Sequence, residues 1–379
     1  MAIIAALVGG VLIAVVLWEA FETIVLPRRV TRKVRLMRLF YRFTWRPWRV
    51  LARAIASGRR QETLLSFFGP MSLLFLLSLW ALGLITGFAL LYWASGSGIK
   101  APGPTAGFFT GLYLSGTTFF TLGLGDVTPQ TLPARVLTVL EAGMGFAFLA
   151  LVIGYLPALN QSFARREVSI SLLDARAGSP PTAAEMLRRH GSDHGLAALQ
   201  QLLHEWERWS AKLLESHLSF PVLAYFRSQH DNQSWLASLT AILDTSALIM
   251  VGLEGACARQ AELTFAMADL SLVFLAAPRE SRHNRLPPAA LAELRSFLAA
   301  AGLKLRDGDE ADEQLRRLRH TYEPYVYSLG RHLNMAVPPW MPEAGRRDNW
   351  QASAWDPGPG RAKRKSGALD AGEEGGKHF

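Results

Sequence analysis

Three long apolar stretches are the main feature of the N-terminal half of the chain. Residues 1–26 are apolar apart from two glutamates, residues 69–95 contain no charged side chain, and residues 133–160 contain one arginine and one glutamate. Each stretch exceeds the roughly 20 residues that a helix needs to cross the hydrocarbon core of a bilayer. The pattern therefore predicts three membrane-spanning helices.

A shorter apolar stretch, residues 107–120, lies between the second and third of these spans and follows Thr105, a candidate N-cap. It is too short to cross a bilayer. Helices of this kind can enter the membrane and turn back when protein surrounds them. We therefore predict a re-entrant helix whose C-terminal, negative dipole end points toward the residues that follow it.

The C-terminal half of the chain has a different pattern. Residues 165–181 contain Gly, Ser and Pro and predict a connector. Amphipathic helical periodicity then continues to about Pro338, and the apolar run 235–253 is interrupted by Asp244. These features predict a soluble helical bundle over residues 165–342, followed by a disordered tail over residues 343–379.

Positive charge is concentrated between the first two predicted spans. Residues 28–60 contain twelve Lys or Arg and no acid; because the whole chain has a formal net charge of +9, the remaining residues sum to −3. The positive-inside rule places such a loop in the cytoplasm. We therefore expect a multi-pass protein of the plasma or inner membrane, with its N-terminus outside and its C-terminus cytoplasmic. Nucleic-acid binding is not expected.

Part of this basic segment has the pattern of an amphipathic helix. Apolar residues such as Leu36, Leu39 and Phe43 recur at helical spacing, and arginines follow another stripe. Such a helix is suited to lying on the anionic leaflet of a membrane; alternatively, its arginines only fix the topology. The predicted lipid-facing residues are Arg35, Arg38, Arg42, Arg46 and Arg49.

The motif Thr-Leu-Gly-Leu-Gly-Asp at residues 121–126 follows the predicted re-entrant helix. A cation that crosses a bilayer must exchange its hydration water for protein oxygens, and stacked backbone carbonyls can supply them. Successive carbonyls face one axis only if alternate residues adopt left-handed dihedrals, which glycine adopts at little cost. Gly123 and Gly125 occupy these alternating positions.

Thr117 to Arg135 resembles the pore loop of the potassium-channel superfamily, particularly the prokaryotic two-transmembrane type, and the resemblance extends over roughly residues 69–160. It implies a selectivity filter facing the cell exterior, supported by Thr117, Thr118 and Asp126. The filter residues would be Thr121, Leu122, Gly123, Leu124 and Gly125, with K⁺ bound at the first four.

One residue departs from the family pattern. The position between the two filter glycines is usually Tyr or Phe, and here it is Leu124. Leucine occurs there in some two-pore-domain potassium channels, which favours retained selectivity. However, leucine offers no aromatic hydroxyl to brace the filter, so a nonselective monovalent cation channel is an alternative.

Two residues of the third span are further candidates. Gly145 lies 20 residues after Gly125, where related channels place the glycine about which the inner helix bends; close helix packing is the alternative role. Glu141 is a charged group inside a predicted span and therefore a functional candidate. We expect it behind the filter, hydrogen-bonded to the pore helix.

The sequence thus predicts an all-α membrane protein with three transmembrane helices, a re-entrant pore helix and a cytosolic helical domain. One pore loop per chain implies a homotetramer, because a ring of carbonyls needs four loops. We expect a potassium-selective channel, no enzymatic reaction, no cofactor beyond the permeant K⁺ and no small-molecule substrate. A non-conducting membrane-anchored sensor or scaffold is a further alternative. The predicted domains are 1–27, 28–68, 69–160, 165–342 and 343–379.

Overall fold

The computed structural model is almost entirely helical in the parts of the chain that it describes, which confirms the prediction of an all-α protein. The exceptions are two strands of two residues each and one isolated bridge. The described residues are 1–25, 36–55, 58–96, 98–101, 107–191, 193–228, 232–253, 257–279 and 284–343. Arg35, Thr105 and residues 344–379 lie outside them, as does the side chain of Arg38.

The N-terminal half contains three long apolar helices and one short helix. Helix α1 covers Ala2–Ala20 and continues as a π-helical turn, Phe21–Val25. Helix α3 covers Arg59–Ala94, α4 covers Phe108–Phe119 with Gly107 as N-cap, and α5 covers Leu132–Ala177. Strands β1 (Ile99–Lys100) and β2 (Thr128–Pro129) pair antiparallel and connect the loops on either side of α4.

Glycines bring α1 and α3 into close contact. A Cβ atom on Gly9 would lie 2.6 Å from the carbonyl oxygen of Gly87, and a Cβ on Gly87 would lie 2.6 Å from the Cγ1 of Ile13. Gly83, one turn before Gly87, faces Val16. Small residues four apart allow apolar helices to approach closely in a bilayer, and the pair at 83 and 87 does so here.

Helix α2 (Leu36–Ile55) connects the apolar helices to the C-terminal half. The backbone N–H of Met37 donates to Glu19 at 2.7 Å, which ties the start of α2 to the end of α1. The indole of Trp45 is buried against Phe68 of α3 and donates to the carbonyl of His332 at 2.8 Å. One face of α2 therefore packs on protein.

The C-terminal half is a helical bundle. Capping residues explain where two of its helices begin. The Thr182 hydroxyl accepts from the Glu185 N–H at 3.3 Å and caps the helix that begins at Ala183, and Ser234 caps the helix that begins at Trp235 in the same way. Its elements are α6 (Ala183–Arg189), α7 (Asp193–Ser219), a 3₁₀ turn (Pro221–Tyr225), α8 (Trp235–Gly252), α9 (Ala258–Leu275), α10 (Pro288–Ala300) and α11 (Asp309–Leu333).

Helix α8 is the centre of this bundle. Almost every residue from Trp235 to Val251 is buried, including Asp244. The Asp244 carboxylate accepts two hydrogen bonds from Arg285, at 2.6 and 3.2 Å, and a third from the Tyr322 hydroxyl at 2.5 Å. Burial lowers the pKa of Arg285, but the adjacent Asp244 carboxylate outweighs it and raises that pKa above its ordinary value.

Within the residues that the structure describes, four helices are long and apolar enough to cross a membrane by length and composition: α1, α3, α5 and α8. They differ in how much of their surface the rest of the chain covers. The most apolar window of α5 is 11% buried, whereas that of α8 is 89% buried. A helix that protein already surrounds has no face for lipid, so α8 is the core of the bundle.

Two expected element boundaries are corrected. Residues 165–177, predicted as part of a connector, continue α5 without interruption, because Ile170 and Leu173 pack into the core of the bundle. Only residues 178–181 form the turn. Helix α3 likewise begins at Arg59, ten residues before the predicted apolar span, and Pro70 lies inside it.

Candidate functional site

The loop from Thr121 to Asp126 leaves the C-terminal end of α4 and leads to β2. Helix α4 is held between α3 and α5. Its Ser115 hydroxyl oxygen lies 2.8 Å from the Ile85 carbonyl oxygen of α3, and a Cβ on its Gly111 would lie 3.2 Å from the Ala89 carbonyl oxygen. The short helix is therefore packed directly on the backbone of α3, where it can hold the loop.

The backbone of the loop alternates in handedness. Thr121, Gly123 and Gly125 have φ angles of 57°, 56° and 79°, whereas Leu122 and Leu124 are not among the residues with positive φ. Glycine adopts such angles readily, but a residue with a Cβ atom pays about 1–2 kcal/mol. The sequence pointed to the two glycines; the strained conformation of Thr121 was not expected.

The end of α4 fixes the base of the loop. The Leu122 N–H donates to the Thr117 carbonyl at 2.7 Å, and the Thr121 N–H donates to the Thr118 carbonyl at 3.0 Å. The Gly123 N–H also points to the Thr117 carbonyl, at 3.5 Å. These bonds use the N–H groups of the first three loop residues and tie them to the last turn of α4.

The far end of the loop is held by Tyr113. Its hydroxyl donates to the Asp126 carboxylate at 2.9 Å. The sequence prediction named Asp126 as a support of the filter but missed its partner. A hydroxyl-bearing aromatic one turn before Thr117 on α4 was the available signal, although spacing alone does not say which face of the helix it occupies.

Glu141 links three helices behind the loop, as expected. It is fully buried and accepts hydrogen bonds from the Tyr92 hydroxyl of α3 at 2.8 Å and from the Ser115 hydroxyl of α4. The Tyr92 hydroxyl oxygen also lies 3.1 Å from the Thr138 hydroxyl oxygen. The expected bond between Glu141 and the pore helix is confirmed, and Tyr92 is the partner that the sequence did not indicate.

Gly145 lies where α5 crosses the end of α4. A Cβ atom there would lie 2.1 Å from the carbonyl oxygen of Phe119 and 2.9 Å from its carbonyl carbon. Close packing of α5 on α4 therefore requires that residue 145 has no side chain. This is the packing role that the sequence analysis gave as the alternative to a hinge. The hinge role stays a prediction, and α5 is an uninterrupted helix through this point.

In a single chain, the loop and the adjoining faces of the helices are not covered by other residues. Leu122 and Leu124 are 61% and 64% exposed, and Phe146 of α5 is 69% exposed. Other large apolar side chains exposed nearby are Phe109, Phe120, Val139, Leu149 and Ile153. Large apolar side chains exposed in such number indicate contact with lipid or with another protein surface.

The arginines of α2 fall into two groups. Arg42 and Arg46 are exposed, so they are accessible to a lipid surface. Arg49 instead turns toward the bundle and donates to the carbonyls of Arg331 and His332 at 2.9 and 3.2 Å. Arg35 and the Arg38 side chain lie outside the described residues.

The described residues place an apolar helix, a short helix followed by a loop of alternating backbone handedness, and a second apolar helix in succession, which is the order expected of a pore-loop channel domain. Residues 75–161, which cover these elements, match the model of a family described as “Ion channel”. This match confirms, for residues 75–161, the resemblance found in the sequence to an ion-channel family of the potassium-channel superfamily.

One curated relative also matches. The “Uncharacterized membrane protein YdjJ” of Bacillus subtilis (strain 168) is 27% identical over 197 residues, which are 49% of this chain and 54% of the relative. The chain therefore spans about half the length of that protein. No solved structure matches the chain with statistical significance. The family match and this relative support a membrane-embedded ion channel.

Proposed function

We propose that the protein is a homotetrameric, potassium-selective channel whose filter is residues 121–126. The alternating backbone of this loop carries the proposal, because positive φ at positions 121, 123 and 125 is the geometry that turns successive carbonyls toward one axis. Thr121, Leu122, Gly123 and Leu124 would supply the oxygens that replace the hydration shell of K⁺.

Four chains are needed because one loop cannot surround an ion. The exposed filter residues and the uncovered apolar face of α5 are the surfaces that neighbouring chains would bury around the axis. In this assembly α1, α3 and α5 cross the membrane, α4 is the re-entrant pore helix, and α5 lines the pore. Helices α6 to α11 form the cytosolic domain.

The orientation follows from charge. The arginine-rich segment around α2 belongs on the cytoplasmic side, which places the N-terminus and the filter outside and the bundle in the cytoplasm. Exposed Arg42 and Arg46 would then contact the anionic leaflet. No gating stimulus follows from this arrangement.

A nonselective cation channel is the second candidate, and Leu124 is the observation that favours it. Its side chain carries no hydrogen-bonding group, so among the hydrogen bonds described for residues 124–126 only the Tyr113–Asp126 bond braces the outer part of the loop. Reversal potentials under bi-ionic K⁺/Na⁺ conditions in a planar bilayer separate the two candidates, since a selective pore gives a large shift and a nonselective pore gives almost none.

Conduction itself is tested with purified protein in K⁺-loaded liposomes. Gly123→Ala should abolish the flux, because alanine is strained at the φ of Gly123 although no atom within 4 Å obstructs its Cβ. Gly10→Ala in α1 is the matched control: its Cβ also meets nothing within 4 Å, but its backbone is helical and the flux should persist.

Two outcomes would contradict the proposal. If wild-type protein gives no flux at any pH, lipid composition or voltage, the non-conducting sensor or scaffold is the better interpretation. If native mass spectrometry gives an assembly other than four chains, the ring of carbonyls cannot form as described.

A further inference from the structure

A cavity of about 420 Å³ lies between helix α2 and the cytosolic bundle. One wall comes from α2, through Trp45, Arg46 and Arg49, and the other from the end of α9 and the last turns of α11. Four arginines and one histidine line it: Arg46, Arg49, Arg279, Arg331 and His332.

The cavity contains no neutralising acid among its lining residues, all of which belong to the described part of the chain. The side chains of Arg46, Arg279 and Arg331 have no hydrogen-bond or ion-pair partner within the described ranges. Arg46, Arg279 and Arg331 are exposed to solvent and Arg49 is half-buried. Four guanidinium groups that line one cavity without an acid give it a positive potential, which attracts anions.

Arg49 shows the consequence of the crowding. Partial burial and the nearby Arg53, Arg46 and Arg331 all lower the pKa of its guanidinium. Its Nη1 donates to two backbone carbonyls, but its Nε is buried without a partner. A buried donor without an acceptor is unfavourable, and an anion that reached Nε from the cavity would supply the missing acceptor.

An apolar cavity of about 510 Å³ adjoins the cationic one and shares Trp45, Arg46, Leu275, Leu329 and His332 with it. Arginine recognises phosphate through planar, often bidentate hydrogen bonds. An anionic lipid with its phosphate among the arginines and a chain in the apolar cavity fits the pair of cavities. A free phosphate compound fits the cationic cavity alone.

We propose that the cavity between α2 and the bundle is a binding site for a phosphate group, with Arg46, Arg279 and Arg331 as its principal cations. A phosphate there bridges the membrane-proximal helix and the last turn of α11, and so fastens the cytosolic domain to α2. The binding claim does not depend on conduction.

The test uses the full-length protein in neutral detergent and measures its thermal unfolding. Pyrophosphate should raise the unfolding temperature of the wild type by several degrees more than KCl of equal ionic strength, as ligand binding to the folded state requires. A second arm compares nanodiscs of phosphatidylcholine with nanodiscs that also contain phosphatidylglycerol, without pyrophosphate.

The variant Arg46→Gln/Arg279→Gln/Arg331→Gln should lose these shifts. Because it removes mutually repelling charges, its own unfolding temperature without ligand should be equal to or higher than that of the wild type. Arg317→Gln is the matched control: it removes an exposed arginine of the same helix α11 that pairs with Glu313, and the shifts should persist.

A shift with pyrophosphate alone identifies a free phosphate compound as the ligand source, and a shift with phosphatidylglycerol alone identifies a lipid headgroup; either supports the phosphate site. The proposal is overturned if neither arm gives a shift, if the triple variant responds as the wild type does, or if that variant unfolds at a lower temperature without ligand.

Discussion

Gly145 of α5 and Phe119 at the end of α4 are in close contact: a Cβ atom at position 145 would lie 2.1 Å from the Phe119 carbonyl oxygen. No rotamer change relieves such a clash, because the backbone fixes the position of a Cβ atom and its partner is a main-chain oxygen. Phe119, two residues before the loop at 121–126, can therefore occupy its position only because residue 145 has no side chain.

Gly145→Ala should lower the stability of the pore domain by about 1–3 kcal/mol and reduce flux, since the end of α4 must move. Gly143→Ala, two residues earlier, meets no atom within 4 Å and is the control. Thermal unfolding and liposome flux measure both effects. A hinge role predicts a changed open probability at an unchanged unfolding temperature, and that result would refute the packing explanation.

Glu141→Gln should destabilise the protein by about 1–3 kcal/mol, because an amide presents only one oxygen to the Tyr92 and Ser115 hydroxyls and places an NH₂ group against them. A double-mutant cycle with Tyr92→Phe, followed by thermal unfolding, measures the coupling between the two groups. Strictly additive effects would show that the Tyr92–Glu141 bond contributes nothing.

Asp244→Asn should lower the free energy of unfolding of the bundle by about 3–5 kcal/mol, because it leaves the largely buried Arg285 without its carboxylate. Glu262→Gln is the control, since its ion pair with Arg259 is exposed and should contribute about 0–1 kcal/mol. Chemical denaturation of both variants measures the difference. An equal decrease in the free energy of unfolding for both variants would show that the buried Asp244–Arg285 pair contributes no more to stability than the exposed pair.

His217 should make the bundle less stable in mild acid. Burial, with a smaller effect of Arg166, lowers its pKa from 6.5 to about 3. Between these two pKa values the unfolded chain binds a proton at His217 and the folded chain does not. The contribution to the free energy of unfolding is therefore fully present above about pH 6.5, and it is lost by up to about 1.4 kcal/mol per pH unit as the pH falls toward 3.

Unfolding temperatures of the wild type and His217→Gln between about pH 7 and about pH 5 test this prediction. The variant should show a smaller decrease over that interval. His320→Gln, at an exposed position of α11, should decrease as the wild type does. The same pH dependence in all three proteins would mean that protonation of His217 is not the cause.

Much of the pore domain was accessible from the sequence. The apolar spans, the short helix between them and the glycine alternation all depend on residues close together in the chain, and each has its own physical signal. The partners of the loop were less accessible. Tyr113 and Tyr92 occupy helices whose rotation about their own axes is set by packing, so their contacts with Asp126 and Glu141 could not be assigned from spacing.

The sequence by itself determined the ion-channel class, the position of the filter-like loop and the concentration of positive charge between two apolar spans. These are local properties of backbone freedom, hydropathy and charge. Only the tertiary structure decided that α8 is a buried core helix, that α5 continues into the bundle, and that α2 and α11 enclose a cationic cavity. Burial and charge clustering depend on which segments, far apart along the chain, pack against each other. The local sequence of any one segment does not specify this.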